Sequence, residues 1–335
     1  MIVKKHRLLI VGVGSIGERH VRCYLATGRA EVGICELNEE LRKTVSERYS
    51  IAEVFSDLNE ALAAGWDAVL VATPAHTHIP LALIVAKAGI NLILEKPVST
   101  SMDGVDELQQ VVAEKSIMAA VSYNYRAHPA LFAMKAALDS GRFGKPRQLY
   151  AVVGQSFAFY RPAYRDIYFA DRAQGGGAIQ DSITHTWNLA EWFIGPIDRI
   201  TVDADHQVLE GVEVEDTVHA LARHGDVMAS YTVGLYQQPS ESSLTIVCEK
   251  GTLRFELHEN RWRCMTEPEG VWEDEEHVLA ERDTWYTLNA EALLDAVEGI
   301  APPRCSLDEG IQTLRVNLAA LKSAETRSWQ DIDRM

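Results

Sequence analysis

The chain has 335 residues, of which 47% are hydrophobic and 24% are charged, with a formal net charge of −16. Because a single hydrophobic core rarely grows past about 250–300 residues, this length indicates two domains. The acidic balance argues against a broad nucleic-acid surface and against binding to anionic membranes, and no apolar run reaches the ~18 residues of a membrane span.

Up to about residue 123, apolar strands alternate with amphipathic helices. Strands are predicted at 7–12, 31–36, 67–72, 91–95 and 117–122, with helices near 15–27, 39–49, 57–64, 77–89 and 101–115. Such alternation predicts a doubly wound α/β domain over 1–123, a parallel sheet with helices on both faces. Ligands of such sheets bind at the carboxyl ends of the strands.

The pattern changes in the rest of the chain, 124–335. Helices are predicted near 129–140, 178–194, 284–299 and 307–327, and strands at 147–156, 199–208, 217–223, 227–233, 242–248, 252–257 and 261–265. Short turns separate the later strands, which predicts an antiparallel meander in a second, α+β domain. We expect the C-terminal helix to be able to pack back on the first domain.

Three glycines follow the first predicted strand and open the first predicted helix. Gly12 permits a tight turn, Gly14 lets the backbone approach a pyrophosphate, and Gly17 lets the helix lie close to the strand. Glu36 ends the second strand, where its carboxylate would accept hydrogen bonds from the adenosine ribose. The alternative is a glycine-rich turn in another kind of α/β protein. The pattern favours a nicotinamide dinucleotide site with contacts from Gly12, Gly14, Ser15, Ile16, Gly17 and Glu36.

Polar residues follow three further predicted strands, at the sheet edge where the nicotinamide would lie. Thr73, Pro74, His76 and His78 follow the strand at 67–72, and Glu95 and Lys96 stand at the end of the strand at 91–95. Asn124 and Arg126 follow the strand at 117–122. We predict cofactor contacts from the first two of these sets, with His78 alternatively capping the helix that follows it. Lys96, fixed by the next proline, would donate a hydrogen bond to a substrate hydroxyl and stabilise the developing alkoxide. Its alternative role is a surface lysine paired to Glu95.

A run of three glycines, 175–177, precedes a helix that carries Asp181, His185 and Asn188. At helical spacing these three share one stripe, opposite an apolar stripe, so we expect them to face a cleft. His185 would act as general base, with Asp181 orienting the substrate or the imidazolium. The alternative is a solvent-exposed Asp–His pair. A catalytic metal on these histidines is disfavoured because no metal-ligand motif occurs, and we predict none.

Taken together, these motifs resemble the glucose–fructose oxidoreductase and inositol dehydrogenase family, the Gfo/Idh/MocA group. The resemblance implies a Rossmann domain followed by an α+β domain whose large, open-faced, mostly antiparallel sheet pairs subunits into a homodimer or homotetramer. It also implies catalysis by Lys96, Asp181 and His185, a cofactor contact from Asn124 and a substrate contact from Arg126.

The expected reaction is hydride transfer between NAD(P) and a secondary hydroxyl or ketone of a sugar, inositol or related polyol. NAD is preferred over NADP because a carboxylate at Glu36 repels a 2′-phosphate, although Arg42 lies one turn away. The aromatic and basic segment 157–172 would line the substrate site, with a contact from Tyr164, or would pack on a neighbouring subunit. The alternatives are a glycoside hydrolase with tightly bound NAD, an NADPH-dependent ketone reductase and an NAD-sensing regulator.

Five cysteines without CxxC spacing indicate reduced thiols in a cytoplasmic protein. The basic residues before the first apolar run imitate a signal peptide, but glycines break the run and no small-residue cleavage site follows. We therefore expect a small-molecule enzyme of the cytoplasm without nucleic-acid or membrane partners.

Overall fold

The computed structural model describes residues 5–275 and 282–333. Within this range the chain divides into two compact units, residues 5–127 with 282–311, and residues 128–275 with 312–333. The boundary at 123 stays a prediction drawn from the sequence pattern, whereas packing groups 282–311 with the first unit. None of the helices in the described ranges combines the length and apolar character needed to cross a bilayer.

The bounds of the elements follow the predicted pattern closely. The strands are His6–Val11 (β1), Ala30–Cys35 (β2), Val54–Phe55 (β3), Ala68–Val71 (β4), Asn91–Leu94 (β5), Ala119–Val121 (β6), Pro146–Ser156 (β7), Arg199–Asp205 (β8), Thr217–His224 (β9), Val227–Gly234 (β10), Tyr236–Cys248 (β11), Gly251–Glu256 (β12), Arg261–Met265 (β13), Glu273–Glu275 (β14) and Gln330–Asp331 (β15). The helices are Ser15–Ala26 (α1), Glu39–Tyr49 (α2), Leu58–Ala63 (α3), His78–Lys87 (α4), Val105–Lys115 (α5), Pro129–Asp139 (α6), Phe157–Tyr160 (α7), Thr184–Ile194 (α8), Arg282–Val297 (α9) and Leu307–Thr326 (α10).

The first unit is built on a six-stranded parallel sheet in the order β3-β2-β1-β4-β5-β6. The crossover between β1 and β4 is the point where strand order reverses, and ligands of doubly wound sheets bind there. Helix α9 joins this core, since Leu293 and Leu294 share a buried cluster with Leu8 and Ile10 of β1. The predicted Rossmann-type sheet is confirmed, and the two-residue strand β3 is too short to show in the sequence pattern.

The second unit contains a nine-stranded sheet in the order β14-β13-β12-β11-β7-β10-β9-β8-β15. Only the β7–β10 pair is parallel, and the other described pairs are antiparallel. Strand β7 enters the middle of the sheet and so separates two meanders, β8 to β10 and β11 to β14. The predicted mostly antiparallel sheet is confirmed.

One predicted helix differs from its expected geometry. The segment 178–194 begins as a π-helix, Ala178–Ile183, and becomes α-helical only at Thr184. A π-helix bonds i to i+5, so the side-chain spacing expected for an α-helix does not hold through its first turns. Such segments are frequent at functional sites.

Candidate active site

The three glycines after β1 differ in the space around them: Gly12 and Gly17 are closely packed, whereas Gly14 borders open space. Gly12 has φ +85°, and a Cβ there would lie 2.8 Å from Thr73 Cγ2. A Cβ on Gly17 would lie 2.0 Å from the carbonyl oxygen of Gly12, whereas one on Gly14 would meet nothing within 4 Å. Helix α1 begins at Ser15, so its unsatisfied N–H groups face this open space. The cradle fits a dinucleotide pyrophosphate.

Glu36, directly after β2, is tied to the glycine turn. Its Oε2 accepts a hydrogen bond from the backbone N–H of Val13 at 2.9 Å, and its Oε1 accepts one from Asn38 at 2.8 Å. Each carboxylate oxygen can accept more than one hydrogen bond, so capacity for a ribose hydroxyl remains. The Arg42 guanidinium donates to the carbonyl of Glu36 itself at 2.6 Å.

The turn after β4 is fixed by a buried histidine. His78 is 1% exposed, and its two ring nitrogens lie 2.7 Å from the Thr73 carbonyl oxygen and 2.9 Å from that of Pro97. Burial lowers the pKa of His78 although both carbonyls act to raise it. His78 therefore joins the ends of β4 and β5, and its ring nitrogens are occupied by the protein. His76 and Pro74 are exposed. Their cofactor contacts, expected from the sequence, remain predictions.

The turn after β5 rests on a buried hydrogen bond between a carboxylate and a histidine. Glu95 is 5% exposed, its Oε1 lies 2.6 Å from Nε2 of His20 on α1, and its Oε2 accepts a hydrogen bond from the Lys96 backbone N–H at 3.1 Å. Burial acts most strongly and raises the pKa of Glu95, but its contacts with His20 and Lys96 together outweigh burial and the pKa is lowered. Glu95 thus supports the backbone that carries Lys96, whose side chain is half-buried. His20 was not singled out in the sequence; the signal available was a polar residue on the buried face of α1.

Asn124 and Arg126, which follow β6, differ in their hydrogen bonding, although the resemblance implied that both contact a ligand. Asn124 is 2% exposed, and its Oδ1 has no hydrogen-bond partner among the described residues. Such an orphaned acceptor suits an N–H donor of a bound carboxamide. Arg126 is 1% exposed and binds the Glu309 carboxylate and, at 2.8 Å, the Arg304 carbonyl oxygen. The burial of Arg126 and the contacts of its Nη1 with α10 and the segment before it support a structural role in place of the predicted substrate contact.

In the second unit, Asp181 is buried and held from two sides. It is 2% exposed; Arg161 donates to its Oδ2 at 3.0 Å and Tyr168 donates to its Oδ1 at 2.7 Å. The alternative of a solvent-exposed Asp–His pair is therefore wrong for Asp181. His185, in the first turn of α8, is half-buried.

The glycine run before this helix makes close packing with Glu215 and the preceding loop possible. A Cβ on Gly176 would lie 2.3 Å from the Phe169 carbonyl oxygen, and one on Gly177 would lie 2.5 Å from Glu215 Oε1. Glu215 is 3% exposed, accepts a hydrogen bond from the Ile179 backbone N–H at 3.0 Å and pairs with Arg172 at 2.7 Å. Its carboxylate satisfies the start of the π-helix, a role that the sequence pattern did not reveal.

The expected cleft-facing stripe is only partly present. Asn188 is 1% exposed and donates to Thr313 Oγ1 of α10 at 3.0 Å, so it packs inside the unit. Tyr164 is corrected in the same way: it is 2% exposed, and its hydroxyl donates to the Glu210 carbonyl oxygen at 2.7 Å. Its ring packs on Phe157 and is not available as a substrate wall.

The predicted catalytic residues divide between the units, with Lys96 in the first and Asp181 and His185 in the second. No group of three His, Cys, Asp or Glu side chains that could hold a metal ion occurs in the described parts of the chain.

Comparison with known proteins decides the family. Residues 6–123 match the model described as "Oxidoreductase family, NAD-binding Rossmann fold", and residues 132–254 match that of the GFO/IDH/MocA C-terminal domain. The inositol 2-dehydrogenase of Acidothermus cellulolyticus is 30% identical over 261 residues, which cover 74% of this chain and 72% of that protein. This chain belongs to the Gfo/Idh/MocA family. The predicted family and its NAD-binding Rossmann domain are confirmed.

Two further Gfo/Idh/MocA relatives show how far the likeness extends. The inositol 2-dehydrogenase of Azotobacter vinelandii is 29% identical over 201 residues, 55% of this chain, and the match spans about half of the relative's length, 53%. The structure of a levoglucosan dehydrogenase, solved with NADH and levoglucosan, superposes with a TM-score of 0.91 at 19% identity, covering 99% of this chain and 100% of that one. This likeness establishes a shared fold.

Proposed function

We propose that this Gfo/Idh/MocA member is an NAD-dependent dehydrogenase that oxidises a secondary hydroxyl of a sugar, inositol or related polyol. The observation that carries the proposal is the coexistence of a dinucleotide cradle and the three expected catalytic side chains in a chain whose relatives include inositol 2-dehydrogenases. Bound NAD would supply the acceptor for the hydride that leaves the substrate carbon.

The proposed roles follow from the side chains themselves. His185 removes the hydroxyl proton, since an imidazole titrates near neutral pH. Lys96 donates a hydrogen bond to the same oxygen and stabilises the negative charge that develops on it. Asp181, fixed by Arg161 and Tyr168, orients the substrate or the imidazolium.

We propose NAD as the preferred cofactor, with NADP discriminated against. Two backbone N–H groups hold the Glu36 carboxylate at the end of β2, and this supports the proposal, because a carboxylate beside the adenosine ribose would repel a 2′-phosphate. The Arg42 guanidinium, the cation one turn after Glu36, donates to the backbone carbonyls of Glu36 and Leu37. Thr73, Pro74, His76 and Asn124 are proposed as further cofactor contacts.

We further propose a cytoplasmic homo-oligomer, a dimer or tetramer, that pairs through the outer face of the nine-stranded sheet. Tyr150, Leu221 and Met228 lie on this face in three adjacent strands and are 44%, 53% and 54% exposed. Apolar side chains clustered in this way favour an association surface. All five cysteines are buried free thiols, which suits a reducing compartment. Light scattering that gives a monomeric mass at micromolar concentration would contradict the oligomer.

The decisive experiment is an ultraviolet absorbance screen for NADH. Purified protein with NAD or NADP is offered inositols, aldoses, sugar acids, sugar phosphates and simple glycosides. Net NADH formation with a hydroxyl substrate supports the proposal and names the substrate class. Cleavage of a nitrophenyl glycoside without net NADH would replace it by a hydrolase that retains its cofactor.

A further inference from the structure

Lys96 lies between two residues that buried histidines of the first unit hold in place. On one side, Nε2 of His20 lies 2.6 Å from Oε1 of Glu95. On the other side, Nδ1 of His78 lies 2.9 Å from the carbonyl oxygen of Pro97. His20 is 2% exposed and His78 is buried as well, so water does not compete for either contact. The position of Lys96 therefore depends on side chains from two helices, α1 and α4.

The Glu95 carboxylate connects α1 to the peptide that carries Lys96. An ionised carboxylate only accepts hydrogen bonds, so the His20 ring donates to Oε1. The other oxygen, Oε2, accepts the Lys96 backbone N–H at 3.1 Å. The rings of Tyr24 and Tyr286 lie 6.2 and 6.1 Å from the His20 ring, centroid to centroid, and limit its rotation. Loss of the imidazole would leave Oε1 without this donor, and a carboxylate that turns to find another would disturb the bond to Lys96.

Helix α1 joins His20 to the proposed pyrophosphate cradle. The helix begins at Ser15, five residues before His20, which corresponds to about 7.5 Å along its axis. Elsewhere on α1, Arg19 Nε and Arg22 Nε lie 3.2 and 2.6 Å from the two carboxylate oxygens of Asp283 on α9. A helix tied down in this way moves as one body. An anion held by the N–H groups of its first turn therefore acts on the His20 ring as well.

We propose that His20 is a positioning residue that couples binding of the dinucleotide at the start of α1 to the placement of Lys96. It acts through the Glu95 carboxylate and not by touching the substrate. The inference rests on the proposed function and deepens it, because it assigns a residue that brings Lys96 into place when NAD is bound. Such coupling is reciprocal, so its loss changes NAD affinity as well as the order of the Lys96 peptide.

Amide hydrogen exchange in the peptide 94–98 tests this coupling without turnover. The wild type, His20→Gln and His20→Asn are each measured with and without NAD. The Gln side chain places its amide nitrogen as many bonds from the backbone as Nε2 of histidine, whereas the Asn amide is one bond shorter. We expect NAD to slow exchange in the wild type and in His20→Gln. In His20→Asn the slowing should be at least about fivefold smaller, and the Kd for NAD should rise about fivefold.

The same two substitutions at His6 are the matched control. His6 Nε2 also lies 2.6 Å from a glutamate oxygen, Glu298 Oε1, and His6 is 7% exposed. His6 stands at the start of β1, however, at the opposite end of this strand from the glycine turn. Both His6 variants should match the wild type in the exchange of 94–98 and in NAD affinity.

Steady-state kinetics separates positioning from general damage. In His20→Asn, kcat should fall about tenfold to a hundredfold, because a displacement of about 1 Å in a catalytic group can cost that much. KM for the sugar or polyol should stay within about threefold of the wild type, and His20→Gln should recover most of kcat. NMR of the imidazole Nε2–H signals needs no variant: NAD should shift the His20 signal and leave the His6 signal unchanged.

An equal effect of NAD on exchange in His20→Asn and the wild type overturns the coupling. So does a His20→Gln protein that is no better than His20→Asn, or a His20 signal that NAD does not shift. If no substrate gives NADH while the exchange and NMR results hold, the dehydrogenase proposal fails and the coupling stands.

Discussion

Arg161 and Asp181, 20 residues apart in the chain, form an ion pair of 3.0 Å in which the arginine side chain is 34% exposed and the aspartate 2%. The buried partner depends on the exposed one, because an ionised carboxylate out of water needs compensating donors. Arg161 is thus a positioning residue for Asp181, and its guanidinium also lies 5.0 Å from the centre of the Phe157 ring.

Replacing Arg161 should reveal this dependence. Arg161→Gln is expected to lower the free energy of unfolding by about 1.5–3 kcal/mol, the range for hydrogen bonds to charged groups, and to lower kcat more than it raises KM. Arg161→Lys keeps the charge and should recover part of both. Urea unfolding and steady-state kinetics measure the effects. Equal stability and kcat in Arg161→Gln and the wild type would show that Tyr168 alone suffices.

Lys96 should be needed for turnover and not for cofactor binding. Lys96→Met keeps the length of the side chain but removes the ammonium, so kcat should fall by about 10²–10³, the usual effect of losing one electrostatic contact to a developing oxyanion. Calorimetric titration with NAD should give a Kd within about threefold of the wild type. A parallel loss of NAD affinity would reassign Lys96 to cofactor binding.

The glycine turn offers a matched pair of variants. Gly17→Ala places a Cβ 2.0 Å from the Gly12 carbonyl oxygen and should destabilise the fold strongly. Gly14→Ala meets nothing within 4 Å and has an ordinary φ of −60°, so stability should change by about 0.5 kcal/mol or less. It should nevertheless weaken NAD binding at least about tenfold, since the methyl group enters the space reserved for the pyrophosphate. Unaltered NAD affinity in a folded Gly14→Ala protein would place the phosphates elsewhere.

Two substitutions separate the charge of Glu36 from its hydrogen bonds. Glu36→Gln keeps one acceptor oxygen and loses the charge, so discrimination against NADP should shrink while the glycine turn remains partly held. Glu36→Ser leaves the N–H groups of Val13 and Asn38 without the carboxylate and should weaken NAD binding further. Titration of each variant with NAD and NADP checks the order. Unchanged discrimination in Glu36→Gln would show that shape rather than charge excludes the 2′-phosphate.

His224 should make the second unit acid-sensitive. It is 4% exposed between the Gly195 carbonyl oxygen and the Tyr231 hydroxyl, and burial lowers its pKa to about 4. The neutral ring is favoured in the folded state, so its contribution is complete above about pH 6.5 and is lost as pH falls towards 4. The full loss is about 3 kcal/mol.

Urea unfolding at several pH values measures this contribution. His224→Gln, which does not titrate, should lose less stability than the wild type between pH 7 and 4.5. Identical slopes in the two proteins would mean that carboxylates alone carry the acid sensitivity.

The local pattern predicted the elements well because apolar periodicity reflects burial in each strand and helix. It predicted which residues follow β4, β5 and β6 for the same reason. It failed at Arg126 and Tyr164, whose partners Glu309 and Glu210 are distant in the chain. A polar residue beside a catalytic motif looks available until the distant segment that binds it is known, and only packing supplies that information.

The same limit applies to the residues that support the site. His20 and Glu215 carry no motif of their own, and each acts through one buried contact with an element far along the chain. Arg161 and Tyr168 were visible only as members of an aromatic and basic segment. Their hydrogen bonds to Asp181 could not be predicted, because they depend on how the chain turns at the glycine run 175–177.

Because α8 is preceded by a π-helix, the number of residues in the segment 178–183 determines the direction in which Asp181 points. One residue shifts an α-helix by about 100° around its axis, and a π-turn accommodates one residue more than an α-turn. Deleting a single codon, such as that of Ser182, would let the helix become regular and would rotate Asp181 away from Arg161 and Tyr168. A library made only of point substitutions would never sample this change. A sequence alignment that ignores the extra residue of the π-helix would place Asp181 in the wrong column.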